Sequence, residues 1–236
     1  MSNYSKITYN SSNFIKKFPH KKRFEYYTKS ILCNYQNKNI NLKLLDYGAG
    51  DGYMFVCLSK YNYGKLSLFA YEPSPGQHSD LLENLDKHNL TVSCFRKLGD
   101  DKFDIILCTE VLEHFSYKSA VIHIKKIKNI LTKKGTLIIS VPIEVGLSGL
   151  LKNLIRFLLN TTHEGLTLKT LIRSFFDLPI PRDNDDYIDS HIGFSFNKLE
   201  KILLESGFCI KKKYYSPFPI LKRFMNSQII FECCKE

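Results

Sequence analysis

A short apolar segment that runs directly into a cluster of glycines constrains the fold of this chain more than any other feature. Residues 42–47 have the sequence Leu-Lys-Leu-Leu-Asp-Tyr, and Gly48, Gly50 and Gly52 follow at alternate positions. Glycines at this spacing allow a tight turn from a strand into a helix, where the backbone can approach a ligand and offer its N–H groups. The segment therefore predicts a ligand-binding loop at the carboxyl end of a buried strand.

The rest of the chain alternates between strand-like and helix-like patterns. Six more strands are predicted, at residues 66–71, 91–95, 103–108, 136–141, 208–215 and 228–233. Apolar residues recur at helical spacing between them, for example at Ala120, Ile124, Ile127 and Leu131. This alternation predicts an α/β fold with a seven-stranded, mostly parallel sheet and helices on both faces, whose ligands bind at the carboxyl ends of the strands.

The connection between the fifth predicted strand and the last helix is too long for a plain loop. It contains two apolar helical stretches and then a polar loop, so we interpret residues 143–190 as an inserted lid or substrate-binding subdomain. The predicted core comprises residues 40–142 and 191–236, and a basic segment at residues 1–39 precedes it. The last helix is predicted at residues 198–206, with Asn197 and Glu200 forming a variant of the capping box.

Basic residues are concentrated at the two ends of the chain. The net charge is +11, and residues 1–39 contain eight Lys and Arg against one Glu. Residues 198–236 contain eight Lys and Arg against four Glu, whereas the middle of the chain is neutral. Such ends suit an anionic partner, which could be a nucleic acid or a nucleotide-linked or lipid-linked sugar, and they also allow peripheral contact with a membrane surface.

The cysteines and the apolar segments predict a cytoplasmic protein. The seven cysteines are an odd number and include no Cys-x-x-Cys pair, so we expect neither a disulfide framework nor a zinc site. No apolar run approaches the roughly 18 residues that a membrane-spanning helix needs. The N-terminus lacks the apolar segment of a secretory signal.

Two carboxylates accompany the glycine loop. Asp46 precedes it, and Glu72 closes the second predicted strand just before Pro73. A carboxylate at the end of that strand can accept hydrogen bonds from both hydroxyls of a ribose. The loop spacing is G-x-G-x-G rather than the G-x-G-x-x-G of dinucleotide-binding folds, which disfavours a nicotinamide oxidoreductase.

Four segments in this order resemble the class I S-adenosylmethionine-dependent methyltransferases. They are residues 46–52, 71–73, 104–114 and 131–142. The resemblance implies a Rossmann-like fold, S-adenosylmethionine as the cofactor, and an enzyme that transfers methyl groups. It implies these cofactor-binding residues: Asp46, Gly48, Ala49, Gly50, Gly52, Glu72, Pro73, Thr109 and Glu110. Many relatives also have an acid after the third strand that contacts adenine, and here only Asp100 and Asp101 stand in that region, neither at a matching position.

Further segments are similar to methyltransferases found with bacterial surface-polysaccharide genes. Residues 14–24 resemble their N-terminal helix, and residues 141–146, 163–165 and 191–194 also match that subgroup. The resemblance implies O-methylation of a sugar or another small anionic metabolite in surface-glycan synthesis.

A hydroxyl acceptor needs a base, and histidine is the first choice because no metal-ligand spacing is apparent and no metal is expected. Three histidines are candidates: His191, which we favour, His114 and His163. A helical turn at residues 110–114 would place Glu110 and His114 on one face. Two other functions stay open: an RNA methyltransferase, favoured by the charged ends, and a non-catalytic protein that binds S-adenosylmethionine.

Overall fold

The structure is a computed structural model of the 236-residue chain. It describes residues 14–35, 41–61, 66–144, 168–176, 193–222 and 226–236, together with positions 146, 149, 178, 188 and 191. The chain divides into two compact units. The first unit comprises Met1–Cys108 and Asn129–Ile138, and the second comprises Thr109–Lys128 and Ile139–Glu236.

Seven strands form one sheet, as the alternation of the sequence predicted. They are β1 (Leu42–Tyr47), β2 (Leu66–Tyr71), β3 (Ser93–Phe95), β4 (Phe103–Thr109), β5 (Leu131–Pro142), β6 (Phe208–Ser216) and β7 (Gln228–Lys235). The strand order is β3-β2-β1-β4-β5-β7-β6. Strand β1 pairs in parallel with β2 and β4, β2 pairs in parallel with β3, and the closing strands β6 and β7 pair antiparallel. The mostly parallel, Rossmann-like sheet is therefore confirmed.

Helices lie between the strands in chain order. They are α1 (Phe14–Tyr35), α2 (Tyr53–Leu58), α3 (Pro75–Lys87), α4 (Tyr117–Ile130), α5 (Leu168–Phe175) and α6 (Phe196–Glu205), with 3₁₀ helices at Leu112–His114 and Pro219–Leu221. None of the described helices is long and apolar enough to cross a membrane. Most of the predicted insertion at residues 143–190 lies outside the described residues, apart from α5 and a few single positions.

The boundary between α4 and β5 differs from the prediction. Leu131 fits the apolar stripe of the helix, but α4 ends at Ile130 and Leu131 begins β5. The side chain of Leu131 is buried. An apolar residue is expected at this buried position whether it belongs to the helix or to the strand. The spacing of apolar residues therefore could not locate the end of the helix.

The capping box predicted for α6 is wrong. The helix begins at Phe196, and the Ser195 hydroxyl caps it by accepting a hydrogen bond from the Lys198 N–H at 3.4 Å. Glu200 instead forms an ion pair with Lys213 of β6, with its Oε1 2.6 Å from Nζ. The serine cap satisfies one of the N–H groups that the first turn of a helix leaves without an internal partner.

Each unit buries apolar residues of its own strands and helices. In the first unit, Leu44 and Leu45 of β1 are fully buried, and Phe24 of α1 packs edge to face on Tyr53 of α2 at 5.1 Å between ring centroids. In the second unit, the inner residues of α6 and of the β6–β7 pair are buried, among them Leu199, Phe208 and Ile230.

Candidate functional site

The glycine loop is bonded to the end of strand β2. The N–H groups of Gly48 and Ala49 both donate to the carbonyl oxygen of Tyr71, at 2.8 and 3.0 Å, and the Gly52 N–H donates to the Ala49 carbonyl at 2.9 Å. These donors are therefore engaged within the chain. The sequence predicted a row of N–H donors for the ligand. Because these three N–H groups are bonded within the chain, the loop mainly provides the shape of the ligand site.

Glu72 closes this arrangement from the end of β2. Its Oε2 accepts a hydrogen bond from the Gly50 N–H at 2.9 Å, and its Oε1 accepts one from the Ser74 N–H at 3.0 Å. Burial raises the pKa of Glu72, and the two backbone hydrogen bonds and the charge of His78 oppose that rise. Each carboxylate oxygen has two lone-pair directions, so Glu72 can still accept hydrogen bonds from a ligand.

The glycines of the loop serve two different needs. Gly50 has φ +54°, and among the described residues no atom would lie within 4 Å of a Cβ at this position, so open space adjoins it. Gly52 has φ +72°, and a Cβ there would lie 2.5 Å from Cδ1 of Leu81 on α3. Gly52 therefore allows α2 and α3 to pack closely, whereas Gly50 leaves room for a ligand.

Asp46 places a second carboxylate before the loop. Its side chain is only 3% exposed, and its Oδ1 has no hydrogen-bond partner among the described residues. Burial, followed by the charges of Glu72 and Asp51, raises the pKa of Asp46 to about 7. A buried carboxyl with an unused oxygen suits a ligand that brings a hydrogen-bond donor or a positive charge.

Asn84 is a member of this site that the sequence did not predict. Its amide Nδ2 donates to the Asp51 carbonyl oxygen at 2.8 Å, which ties the turn to α3. A polar residue on a helix 33 positions after the turn carries no local signal of such a contact. Pro73 is exposed, and its carbonyl oxygen accepts from Arg96 Nε at 3.4 Å.

Two acids follow β3, Asp100 and Asp101. Asp101 forms an exposed ion pair with Lys43, with its Oδ1 2.9 Å from Nζ. Lys43 is the second residue of β1, whereas the glycine loop follows the last residue of that strand. Asp101 therefore contacts the amino end of β1. Asp100 is exposed.

In the second unit, Glu110 and His114 do not share a helical face. Glu110 follows β4 with φ +56°, donates its N–H to the Ser140 carbonyl oxygen at 3.0 Å, and contacts Gln228 through its carboxylate. Only Leu112–His114 is helical, as a single 3₁₀ turn. The predicted helical turn over residues 110–114 is wrong, because the left-handed backbone of Glu110 turns the chain before the helix begins.

His114 and His191 lie together, although 76 residues separate them in the sequence. Their rings contact edge to face at 4.9 Å between centroids. His114 Nδ1 is 2.9 Å from the carbonyl oxygen of Ile188, and the Ile188 N–H donates to the His114 carbonyl oxygen at 2.6 Å. Glu113, for which the sequence predicted no role, is fully buried beside them. His163 lies outside the described residues.

The sequence of the chain is similar to those of known proteins. Residues 20–175 match the family described as methyltransferase domain. Over 94 residues the chain is 30% identical to a ubiquinone biosynthesis O-methyltransferase of Rickettsia akari (strain Hartford), a match that spans 39% of this chain and 38% of that relative.

Two solved structures illustrate how widely the fold is shared. The PH0226 protein of Pyrococcus horikoshii OT3 is similar over 100% of both chains, with a TM-score of 0.64 and 15% identity. An S-adenosylmethionine-dependent methyltransferase from Clostridium acetobutylicum ATCC 824 is similar over 98% of this chain and 96% of that one, with a TM-score of 0.62 and 15% identity. At this identity, both structures show the same fold and nothing finer.

Proposed function

The chain belongs to the methyltransferase domain family, and from this premise we propose that it is an S-adenosylmethionine-dependent methyltransferase that methylates a hydroxyl group of a small anionic acceptor. The acceptor class that we favour is a nucleotide-linked or lipid-linked sugar of surface-glycan biosynthesis. The observation that carries the hydroxyl assignment is the contact between His114 and His191.

The residues around the glycine loop fit the cofactor. We assign Glu72 to the two ribose hydroxyls, because its carboxylate keeps acceptor capacity after bonding Gly50 and Ser74. Asp46 offers a buried oxygen toward the positively charged part of the cofactor. The remaining proposed contacts are Gly48, Ala49, Gly50, Gly52 and Pro73 at the loop, and Thr109 and Glu110 at the end of β4 for the methyl-bearing part.

The cofactor, when bound, supplies a methyl group that a positively charged sulfur has already activated. The chain must hold the acceptor in line with that group and keep water away, which is a task of position and orientation.

A hydroxyl must lose its proton as its oxygen bonds the methyl carbon. We assign this activation to His191, with His114 as its anchored neighbour. The Nδ1 of His114 is engaged by Ile188, which fixes the ring against which His191 packs. A catalytic role of His163 stays a prediction.

The positive charge and the curated relative support an anionic hydroxyl acceptor. The chain has a net charge of +11, and its basic residues would attract a phosphate-bearing substrate. The partial match to an O-methyltransferase of ubiquinone biosynthesis also favours oxygen over nitrogen as the methylated atom.

The test is a methylation assay with S-adenosylmethionine and a panel of nucleotide sugars, phenols, amines and RNA, followed by the mass of each product. We expect one added methyl group on a hydroxyl-bearing small molecule. Methylation of RNA or of amines alone would overturn the proposed acceptor class.

Substitution of His191 tests whether this residue activates the acceptor hydroxyl. His191→Ala should lower turnover about 1,000-fold, within the range that loss of acid–base assistance produces, while the Kd for S-adenosylhomocysteine stays unchanged. The matched control is His88→Ala, because His88 is exposed at the end of α3 and should leave turnover intact. Full activity of His191→Ala would transfer the role to His114 or His163.

A further inference from the structure

Three side chains of metal-ligand type converge in the second unit. One carboxylate oxygen of Glu113 and one ring nitrogen each of His114 and His191 all lie within 4.8 Å of one another. Ligand atoms around a first-row metal ion, bonded at about 2.0–2.2 Å, lie roughly 3–4 Å apart. Small side-chain rotations would therefore bring these three atoms to bonding distance of one ion.

The hydrogen bond of His114 prepares its ring for such a role. A carbonyl oxygen can only accept, so the 2.9 Å contact with Ile188 requires the proton to lie on Nδ1. The neutral ring then has its lone pair on Nε2. Histidines that bind metals almost always donate their other ring N–H to a carbonyl or carboxylate in this way.

The segment that carries His191 is fixed on both sides. Ile188, three residues before it, donates its N–H to the His114 carbonyl oxygen at 2.6 Å. Ser195, four residues after it, donates its N–H to the Tyr117 hydroxyl at 2.8 Å, and the ring of Tyr117 stacks on Phe194. These contacts hold His191 beside His114.

Glu113 contributes a buried carboxylate to the cluster. Its side chain is 0% exposed, and its carboxylate lies next to two imidazoles. A buried carboxylate is costly unless positive charge or hydrogen bonds compensate it, and a divalent ion provides the strongest compensation. Two imidazoles and one carboxylate are a ligand set that suits first-row transition metals and leaves coordination positions open.

We propose that Glu113, His114 and His191 bind one divalent first-row metal cation, such as Mn²⁺, Fe²⁺ or Zn²⁺. No metal was expected from the sequence, because Glu113 and His114 are adjacent and His191 follows much later, which is not a recognisable ligand spacing. The fold, rather than a motif, creates this site.

One consequence rests on the proposed function. An acceptor hydroxyl that occupies an open position on the cation would have its pKa lowered, and its proton would pass to water. Its oxygen then bonds the methyl carbon while the carbon–sulfur bond breaks and its electron pair stays on sulfur. His191 activates the acceptor as a metal ligand in this state.

Metal binding is tested directly on the full chain, without a histidine tag and after treatment with EDTA. Mn²⁺ is the first probe, because the described cysteines could bind Zn²⁺ on their own and Mn²⁺ prefers oxygen and imidazole ligands. Titration followed by the electron paramagnetic resonance signal of unbound Mn²⁺ should show a single equivalent bound per chain. Equilibrium dialysis with metal analysis provides an independent count.

Substitution of each proposed ligand tests whether that residue binds the metal. His114→Ala and His191→Ala should each weaken Mn²⁺ binding about 100-fold or more, since loss of an outer partner alone costs metal sites 10–100-fold. Glu113→Gln should do the same, and circular dichroism checks that this buried variant folds. His88→Ala is the matched control and should bind like the wild type.

Two results would overturn the site: a wild-type chain that binds neither Mn²⁺ nor Zn²⁺, or ligand variants that bind Mn²⁺ as tightly as the wild type. The proposed function fails separately, if the metal binds but no hydroxyl acceptor is methylated. If methylation of a hydroxyl continues unchanged in metal-free protein, the catalytic consequence is wrong while the binding site stands.

Discussion

The glycine loop and the histidine cluster differ in how far apart their residues are in the sequence. The loop contacts join Gly50 to Glu72 and Asp51 to Asn84, residues that belong to consecutive segments of the first unit. The cluster joins Glu113 and His114 to Ile188 and His191, more than 70 positions later. The proposed donor site is therefore built from neighbouring segments, whereas the proposed acceptor chemistry joins residues that are far apart in the sequence.

The two sites also differ in the kind of polar groups that they bring together. In the loop, backbone N–H groups are engaged within the chain, and Asp46 offers an oxygen with no partner among the described residues. In the cluster, a carbonyl fixes the tautomer of His114, and a buried carboxylate lies against two imidazoles. The loop suits an organic cation with a ribose, and the cluster suits a metal ion. Changes in one site should leave the ligand of the other site bound.

The largest effect on cofactor binding is expected at Gly50. Gly50→Arg should raise the Kd for S-adenosylhomocysteine about 100-fold or more, about 2.7 kcal/mol, because the arginine would fill the open space beside the loop and would also require φ +54°. Isothermal titration calorimetry measures this Kd. Gly99→Arg is the matched control, since Gly99 is exposed, has open space around its Cβ position and lies outside the loop.

Mn²⁺ binding separates the two sites in the Gly50→Arg variant. The binding stoichiometry for Mn²⁺ should be the same as in the wild type. Loss of both ligands together, in a chain that keeps its circular dichroism spectrum, would show that the two sites are not independent.

The next effect is the pH dependence of stability that arises from Asp46. Burial raises its pKa from 3.8 to about 7, so the folded protein keeps a proton that the unfolded chain has already lost. This contribution is complete below pH 3.8 and is lost as the pH rises to 7. Asparagine does not titrate, so the Asp46→Asn variant does not lose this contribution. As the pH rises from 5 to 8, the free energy of unfolding of the variant should increase by roughly 2–3 kcal/mol relative to that of the wild type.

Urea unfolding at the two pH values measures this gain. Asp86→Asn, at an exposed position of α3, is the control and should track the wild type at both. An unchanged difference between Asp46→Asn and the wild type from pH 5 to pH 8 would mean that Asp46 is ionised throughout this range.

The smallest effect is expected at Tyr117, whose hydroxyl accepts the Ser195 N–H close to His191. Tyr117→Phe leaves that N–H without its partner and should lower the free energy of unfolding by about 1 kcal/mol. Because His191 would be less well held, Mn²⁺ affinity should fall several-fold while the Kd for S-adenosylhomocysteine stays constant. Tyr61→Phe, at an exposed position, is the control. Wild-type affinity for Mn²⁺ in Tyr117→Phe would show that this bond does not position His191.

The sequence alone determined the sheet and the family. Alternating apolar segments placed seven strands correctly, because a parallel sheet needs buried strands separated by crossover helices. The glycine loop and Glu72 were identifiable because the residues in contact lie near each other in the sequence. Their contacts also depend on a backbone geometry that only certain residues adopt.

Only the tertiary structure decided the end of α4, the serine cap of α6, the role of Asn84 and the meeting of Glu113, His114 and His191. Leu131 is buried in either conformation, so its hydrophobicity could not separate helix from strand. The cluster depends on hydrogen bonds between His114 and Ile188, two residues that no local pattern connects. Periodicity reports which face of a segment is buried, whereas the partner of a polar side chain depends on which distant segment the fold brings to it.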